Sequence, residues 1–409
     1  MLVFLLVGSA LRVVAVSTLL TLGDEPSLRA ALKLDATNDR AHRALGALYR
    51  WKALNPAQAV VEFRRAAELR PEYALNWADL GEACDIAGDS RCARAAFEQV
   101  AKLAPMTPQL QWRIANHDLL TSHPQAALQR LARFVELDPP EAESAFAIAL
   151  RASGDPESFW RELQRQPDAA VRFRYIAHLS ANGHAEQAKE YWSHLTRAGA
   201  APTLADASNY LSQLVAASQF DQARQVWSDL ERLKVVGVSQ PSNLIYNGDF
   251  ARDPLGFGFD WQLNNQAYIG LSFDGGPDTA ERSLRVDFLA DTNRDFELAE
   301  QLVRVIPNQR YVLRADVRSQ GISSDSGPRL RLRDANCTGC DEITTPSTTG
   351  TSGWHQIQTT FTVGAQTEAL WLSLWRPRSR GFPGEIGGQF WLTNVTLTPL
   401  DDRGVVARR

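Results

Sequence analysis

The sequence predicts two domains of different class, an all-α array of repeated helical hairpins followed by an all-β sandwich. At 409 residues the chain is longer than an ordinary single domain. Residues 24–237 are rich in Ala, Leu, Arg, Glu and Gln, with apolar residues three and four positions apart, which is the helical period. Beyond Pro241, segments such as SLRVDFLA and FWLTNVTLTP alternate with the period of strands. We therefore place the helical domain at residues 23–238 and the β domain at residues 241–400.

The helical domain is an array of repeats with a period of about 34 residues. Its clearest unit contains NWADLGEACDIAGDSRCARAAFEQVAKLAP at residues 76–105. Small and bulky residues of this unit recur, with substitutions, in the units before and after it. The recurring positions are Trp77, Leu80, Gly81, Gly88, Ala93, Phe97 and Pro105. Over residues 24–237 the pattern resembles the tetratricopeptide repeat, in which each unit is a pair of antiparallel helices and no unit buries its apolar face alone.

The resemblance also implies a place for a protein partner. Arrays of this family bind partners on a concave face, which the first helix of each unit lines. Carried over to this sequence, that geometry points the following residues into the groove: Arg40, Arg43, Arg50, Trp51, Glu82, Trp112, Asn116 and Phe173. A groove with arginine and tryptophan would suit an acidic or extended peptide. The alternative is that these are solvated helix residues or packing residues.

The β domain carries a series of motifs in the order of the strands of galactose-binding-like jelly rolls. NLIYNGDFARDPLGFGFDWQ opens the series, and AERSLRVDF, VIPNQRYVLRADVRS, GWHQIQTTFTV and FWLTNVTLTPL follow it. Residues 243–400 therefore resemble the jelly-roll domains found in many carbohydrate-binding modules. The fold class expected for the whole chain is a tetratricopeptide solenoid, then a jelly-roll sandwich, with an N-terminal hydrophobic anchor helix.

The jelly-roll resemblance implies sugar binding by aromatic rings. The candidates are Trp261, Tyr268, Trp371 and Trp375. Trp371 and Trp375 are an even number of positions apart, so a regular strand places both rings on one face. Leu370, Leu372 and Leu374 then face the core. The competing interpretation is that the helical array or a loop covers this face.

Domains of this kind often hold a structural calcium ion near their two chain ends. Asp249 matches the acidic position of the opening strand, whereas Thr393 and Asn394 stand where the family usually has an acidic pair. Calcium prefers several carboxylate or carbonyl oxygens. The missing acidic pair weakens the case for calcium, so we expect no cofactor, and Asp249 is the candidate ligand if a structural calcium is bound.

The first 22 residues, MLVFLLVGSALRVVAVSTLLTL, carry a single charge at Arg12. Their number approaches the ~20 that a membrane-spanning helix needs, and neither a basic leading region nor a clean A-x-A cleavage site is evident. We expect residues 1–22 to be a single-pass membrane anchor, with the bulk of the chain outside the cytoplasm, in a bacterial periplasm. The alternative is a buried N-terminal helix of the repeat domain.

The cysteines form two local pairs. Cys84 and Cys92 fall on the two helices of one hairpin, in a spacing similar to the disulfides of secreted helical-repeat proteins, and Cys337 and Cys340 form a CxxC in the β domain. Because no second CxxC or histidine pair accompanies the latter, zinc is not expected. Two disulfides would fit an oxidising compartment. The alternative is four buried thiols in a cytosolic protein.

Charge and motifs exclude several classes of function. The net charge of −4 argues against a general nucleic-acid binder. The seven histidines are scattered without HExxH, and the sequence contains no P-loop, GxSxG elbow or dinucleotide fingerprint. We therefore expect a non-catalytic envelope scaffold, whose repeats bind a protein and whose sandwich binds carbohydrate in surface-polysaccharide assembly. The alternatives are a pure protein-interaction module whose sandwich binds no sugar, and a remote glycan-active enzyme.

Overall fold

The computed structural model describes most of the chain. The described residues are 2–240, 242–277, 282–289, 292–337, 339–340, 342–382 and 384–400, with the side chains of residues 2–9 left out. The chain divides into two compact units, Met1–His178 and Leu179–Arg409.

The first unit is helical throughout its described length. Its helices are α1 Leu2–Leu22, α2 Glu25–Leu34, α3 Asp39–Trp51, α4 Pro56–Leu69, α5 Ala74–Ala87, α6 Ser90–Leu103, α7 Pro108–Leu120, α8 Pro124–Leu137, α9 Ala142–Ser153, α10 Pro156–Gln164 and α11 Ala169–Ala181, the last of which crosses the division between the units. The side chains of Asn38, Asn55 and Asp89 accept backbone N–H groups and so cap α3, α4 and α6. Gly88, with a φ of 76°, ends α5 in the left-handed conformation.

The two helices of a hairpin approach each other closely, which explains why the repeat has glycine or alanine at fixed positions. A Cβ atom at Gly81 would lie 2.7 Å from the ring of Phe97, and one at Gly46 would lie 2.9 Å from the ring of Phe63. Ala93 is fully buried in the same hairpin as Gly81. The glycine and the phenylalanine of these two hairpins therefore recur at a similar spacing because the ring packs directly on the backbone of the facing helix.

The first helix packs on the start of the array through its C-terminal half. Val16 is buried and clusters with Ala31 and Ala41, while Leu11 and Val14 remain exposed. Within the described residues, no helix combines the length and the apolar character needed to cross a membrane. The anchor expected at residues 1–22 stays a prediction, and the side chains of residues 1–9 lie outside the described part.

The second unit contains three further helices and a β-sandwich. The helices are α12 Ala185–Arg197, α13 Leu204–Ala216 and α14 Phe220–Arg232. The strands are β1 Gln262–Leu263, β2 Ile269–Gly275, β3 Arg282–Leu289, β4 Phe296–Arg304, β5 Arg310–Ile322, β6 Arg329–Asp334, β7 Ile343–Thr344, β8 Gly350–Thr362, β9 Ala369–Arg376 and β10 Gly387–Pro399. The helical repeats followed by two antiparallel sheets agree with the predicted fold class.

The strands form two five-stranded antiparallel sheets in the described part of the chain. Sheet one has the order β1-β4-β9-β6-β7, and sheet two has the order β2-β3-β10-β5-β8. Both sheets bury one face in a single core, to which β9 contributes Leu372 and β10 contributes Phe390 and Leu392.

Within the second unit, the last helix docks on the sandwich through one tryptophan. Trp227 of α14 is fully buried, and its ring meets those of Tyr246, Phe257 and Phe259 at centroid distances of 5.1, 6.0 and 5.9 Å. A Cβ atom at Gly258 would lie 2.6 Å from the Trp227 ring, so only glycine fits there. This contact fixes α14 against the segment that opens the β domain.

We expect Gly81→Val to lower the free energy of unfolding by about 1–3 kcal/mol, because the added atoms must displace the Phe97 ring. Urea denaturation followed by circular dichroism measures the change. Ala87→Val is the matched control, since Ala87 is exposed on the same helix and should shift stability by less than about 0.5 kcal/mol. Equal stability of the two variants would contradict the packing described for the hairpin.

Candidate functional site

An ion network ties together the first helices of successive hairpins in the first unit. Arg43 Nε lies 2.5 Å from Asp79 Oδ2, and Arg50 Nη1 lies 2.5 Å from Glu82 Oε2. Arg113 of α7 reaches both acids, with its Nη2 2.7 Å from Asp79 Oδ1 and its Nε bonded to Glu82. The network holds α3, α5 and α7 in register and leaves Glu82 fully occupied.

A cleft of about 670 Å³ opens beside this network. It is lined by Asp39, Arg40, Arg43, Ala44, Ala47, Arg50, Trp51, Phe63, Arg70, Tyr73 and Asp79, and we call it the arginine cleft. Four arginines and two aspartates line the cleft, and Glu82 and Glu72, outside the lining, pair with Arg50 and Arg70. Trp51 is 69% exposed, and the Arg50 guanidinium lies 4.5 Å from its ring centroid. Four of the predicted groove residues, from Arg40 to Trp51, therefore share one surface.

The other predicted groove residues are placed differently. Trp112 packs against Phe134 at 4.9 Å between ring centroids, and Asn116 is exposed. Phe173 is 0% exposed among other buried residues of α11, so its ring is not available to a partner, which corrects its assignment to the groove. Arg70 and Tyr73 of the cleft lie at the end of α4 and just beyond it, outside the first helices from which groove residues were expected.

The outer face of sheet one carries the two tryptophans that the strand period brings together. Trp371 and Trp375 of β9 are both half-exposed. Leu370, Leu372 and Leu374 are at most 4% exposed and belong to the core. The alternation of β9 therefore separates a partly exposed outer surface from a packing surface.

Arginines of the neighbouring strand stand beside both rings. The register of β6 places Arg329 opposite Trp375 and Arg333 opposite Trp371. Arg331 lies between them, with its guanidinium carbon 4.2 Å from the Trp375 ring centroid. The motif RLRLRD contains this alternation, but nothing in the sequence alone indicates that β6 pairs with β9.

Two glutamates of β4 complete this face. Arg331 Nη2 lies 2.8 Å from Glu297 Oε2, and Arg333 Nη2 lies 2.9 Å from Glu297 Oε1. Glu300 lies 3.8 Å from Arg333. We call the surface formed by Trp371, Trp375, Arg329, Arg331, Arg333, Glu297 and Glu300 the tryptophan face.

The two glutamates are held in different electrostatic states. Burial and the charge of Glu297 raise the pKa of Glu300 above its usual value. Burial also acts to raise the pKa of Glu297, but the Ser373 hydroxyl and the charges of Arg331 and Arg333 outweigh it and lower that pKa. The face thus offers an ionised acceptor at Glu297 and a carboxyl that gains a proton more readily at Glu300.

One end of the tryptophan face meets the helices of the second unit. Trp371 lines a cleft of about 320 Å³ together with Leu211 and Val215 of α13 and Phe257 of the preceding loop. Arg304 Nε, at the same end of β4, lies 2.7 Å from Asp221 of α14. Helices therefore lie next to the Trp371 end of the face, as the competing interpretation expected. Trp375 lies toward the opposite end of β9.

The remaining predicted sugar-binding residues lie elsewhere. Trp261 is 0% exposed in the core, and its indole N–H donates to the carbonyl of Asn247 at 3.2 Å, which removes it from any binding surface. Tyr268 is 48% exposed, but it precedes β2 and belongs to the edge of sheet two. Trp371 and Trp375 are thus the two candidates that share a face.

Asp249 and its neighbour Thr393 form local hydrogen bonds. Its Oδ1 accepts the N–H of Ala251, while the hydroxyl of Thr393 donates to the carbonyl of Arg282 at 2.7 Å. Within the described ranges, no cluster of three or more histidine, cysteine or acidic residues could hold a metal ion. Because calcium also takes carbonyl oxygens, the calcium site at Asp249 stays a prediction.

The structure joins the cysteines in local pairs. One disulfide links Cys84 of α5 to Cys92 of α6, and the other links Cys337 to Cys340 after β6. The first closes the turn of the hairpin, where Cys84 is fully buried. The second closes a short loop at the β6 end that carries Asp334.

Solved structures resemble the two parts of this chain separately. PilF of Pseudomonas aeruginosa is 18% identical over 46% of this chain and 92% of that one, with a TM-score of 0.33. YrrB, a tetratricopeptide repeat protein with an unusual peptide-binding site, is 14% identical over 52% and 93%, with a TM-score of 0.27. A family 16 carbohydrate-binding module is 16% identical over 38% and 99%, with a TM-score of 0.26. No protein-family model and no curated protein matches the chain.

A buried carboxyl lies beside Trp261 at the start of the sandwich. Asp260 is 1% exposed, and its two carboxyl oxygens accept the backbone N–H groups of Leu255 and Trp261 at 2.9 and 2.8 Å. Burial raises the pKa of Asp260 to about 6, even though these hydrogen bonds favour the charged form. The folded chain therefore binds this proton more tightly than the unfolded chain does.

We expect the contribution of Asp260 to stability to fall by about 2–3 kcal/mol as pH rises from about 4 to about 6, because ionisation is costlier in the folded state. In Asp260→Asn the decrease in the free energy of unfolding between about pH 4 and about pH 6 should disappear, whatever the variant's absolute stability. Urea unfolding at a series of pH values measures it, with Asp253→Asn, at an exposed carboxylate, as the control. The same pH dependence in wild type and Asp260→Asn would contradict the assignment.

Proposed function

We propose that the chain is a non-catalytic scaffold with two binding surfaces, which works outside the cytoplasm in surface-polysaccharide assembly. The arginine cleft receives an acidic, extended segment of a protein partner, and the tryptophan face receives a carbohydrate. The proposal rests above all on Trp371 and Trp375, two large half-buried rings on the outer face of one sheet of the sandwich.

The tryptophan face has the chemistry that a sugar requires. Indole rings offer flat apolar surfaces to the C–H groups of a pyranose, and a few convergent polar groups fix its orientation. The rings are not needed for the core, because Leu370, Leu372 and Leu374 already fill that side of β9. Glu297 and Arg333 stand within the same face as acceptor and donor for sugar hydroxyl groups.

The arginine cleft has the chemistry of a peptide site. Trp51 and Tyr73 supply aromatic walls, and Arg40 and Arg70 are exposed cations at its edge. Aromatic and arginine side chains carry most of the binding energy at protein interfaces, and the excess of arginine favours an acidic partner.

The proposed location rests on two features. Disulfides such as Cys84–Cys92 and Cys337–Cys340 persist in oxidising compartments. The hydrophobic stretch at residues 1–22 would anchor the chain on the outer side of the cytoplasmic membrane.

One observation favours the alternative of a glycan-active enzyme. Glu297 and Glu300 lie on the tryptophan face with pKa values moved in opposite directions, which is the division found between the acid and the base of a glycosidase. Against this alternative, Glu297 is held by Arg331 and Arg333 and is not free to act as a nucleophile or base.

We expect Trp375→Ala to weaken polysaccharide binding by about 30-fold or more, because a central aromatic residue is worth about 2 kcal/mol or more. Calorimetric titration of the full chain with soluble β-glucan, galactan, polygalacturonate and dextran sulfate measures the affinity. Trp354→Ala is the matched control, since Trp354 is half-exposed on β8 of sheet two.

Binding to none of these polymers, or the same affinity in Trp375→Ala as in wild type, would overturn the sugar-binding proposal and leave a pure protein-interaction module. Steady release of reducing ends that Glu300→Gln abolishes would replace the scaffold with the enzyme.

For the arginine cleft, we expect the double change Arg40→Glu and Arg70→Glu to weaken binding of a fluorescein-labelled oligoglutamate peptide by about tenfold at low salt, because it reverses two cleft charges. Fluorescence anisotropy gives the affinity. The matched control changes Arg91 and Arg151, two exposed arginines outside the cleft, to glutamate. An equal loss in the control pair would reveal general charge attraction and contradict a site at the cleft.

A further inference from the structure

Arg329 differs from the other two arginines of the tryptophan face in having no acidic partner within the described part of the chain. Arg331 forms ion pairs with Glu297 and Glu342, and Arg333 pairs with Glu297. Among the described residues, none forms an ion pair with Arg329. The positive charge at this edge of the face is therefore uncompensated.

The surroundings of Arg329 make this charge costly to leave alone. The side chain is half-buried, and its Nε, like those of Arg331 and Arg333, is shielded from water with no hydrogen-bond partner among the residues that the structure describes. Burial lowers the pKa of Arg329, although a guanidinium stays charged at neutral pH. A partly desolvated guanidinium without an acceptor is a group to which an incoming anion would bind favourably.

The position of Arg329 relates it directly to the sugar-stacking ring. Arg329 and Trp375 are Cα partners in the register of β6 and β9, and neighbouring strands lie about 4.8 Å apart. On the other side of the same ring, Glu297 of β4 is the partner of Trp375. Trp375 thus lies between Arg329, which forms no ion pair with any described residue, and the ionised Glu297.

We propose that the carbohydrate bound at the tryptophan face is an acidic glycan, whose anionic group pairs with Arg329 while its sugar ring stacks on Trp375. The inference rests on the proposed sugar-binding function and adds the charge of the ligand. Carboxylate and sulfate groups both present two or more oxygens that can accept paired hydrogen bonds from one guanidinium.

The charges around the ring also fix the direction of the ligand. Glu297 would repel an anion placed over β4, whereas its oxygens can accept the hydroxyl groups of a neutral edge. Arg331 is already held by Glu297 and Glu342, and its guanidinium carbon lies 4.2 Å from the Trp375 ring centroid, so the sugar stacks on the ring face opposite Arg331. The edge of the sugar that carries the anionic group therefore lies over β6, and the edge that carries hydroxyl groups lies over β4.

The test compares polymers that differ in charge alone. The full chain is titrated calorimetrically with polygalacturonate and with its carboxyl-reduced galactan, and with dextran sulfate and dextran. Arg329→Gln removes the charge, and Arg329→Lys keeps it. Arg310→Gln, an exposed arginine on β5 of sheet two, is the matched control for net charge.

We expect at least one acidic polymer to bind more tightly than its neutral counterpart, and Arg329→Gln to lose about tenfold in affinity for it. Arg329→Lys should retain part of the affinity, and Arg310→Gln should match wild type. Preference for the carboxylated or the sulfated polymer identifies the anionic group. Thermal unfolding of Arg329→Gln verifies that the variant is folded.

The contrary outcomes separate the two proposals. Equal binding of acidic and neutral polymers, with Trp375→Ala still weakening both, would overturn the acidic ligand and leave the sugar site standing. An equal loss in Arg310→Gln would reduce the charge preference to general attraction and also overturn it. Absence of binding to every polymer would overturn both.

Discussion

Inward packing of leucines from β9 and β6 is the constraint on which the tryptophan face depends. Leu330, Leu332, Leu372 and Leu374 are 0% exposed in the core between the sheets. Burying one such side chain stabilises the fold by about 1.5–3 kcal/mol, and a slip of one residue in register would turn the whole set outward. The intervening tryptophans and arginines are therefore held on the outer face by the packing behind them.

This constraint makes the face rigid before any ligand arrives. Arg331 and Arg333 are held by ion pairs to Glu297, and α13 and its neighbouring loop close on the Trp371 end. A ligand would meet fixed rings and charges and would lose little binding energy in ordering them. The arginine cleft has a different origin, because three separate helices are joined there by the bonds of Asp79 and Glu82 to arginines.

The sequence is informative where a local period decides the structure. The hairpin positions of Gly81 and Phe97 and the shared face of Trp371 and Trp375 follow from periods of the helix and the strand, which need no knowledge of the partner element. Burial of Phe173 and Trp261 depends on tertiary packing, so an aromatic residue in a promising motif was not enough to place either on a surface.

The arginines beside the rings depend on the pairing of distant strands. Between β6 and β9 the chain passes through β7 of sheet one and β8 of sheet two. The alternation of RLRLRD does not predict that β6 and β9 then pair. For the same reason Arg70 and Tyr73 of the cleft could not be identified from the first helices of the repeats. The sequence predicts which residue types could bind a ligand, but the order of strands and helices in the fold decides which of them lie next to each other.

Hydroxyl-radical footprinting of the full chain, with and without the polysaccharide that binds best, tests the central claim most directly. It reads the solvent exposure of individual tryptophans by mass spectrometry. We expect Trp375 and Trp371 to react in the free chain and to be protected by the ligand, while Trp261 and Trp227 stay unreactive in both states. Protection confined to other residues, or strong reactivity of Trp261 in the free chain, would contradict a sugar site on this face.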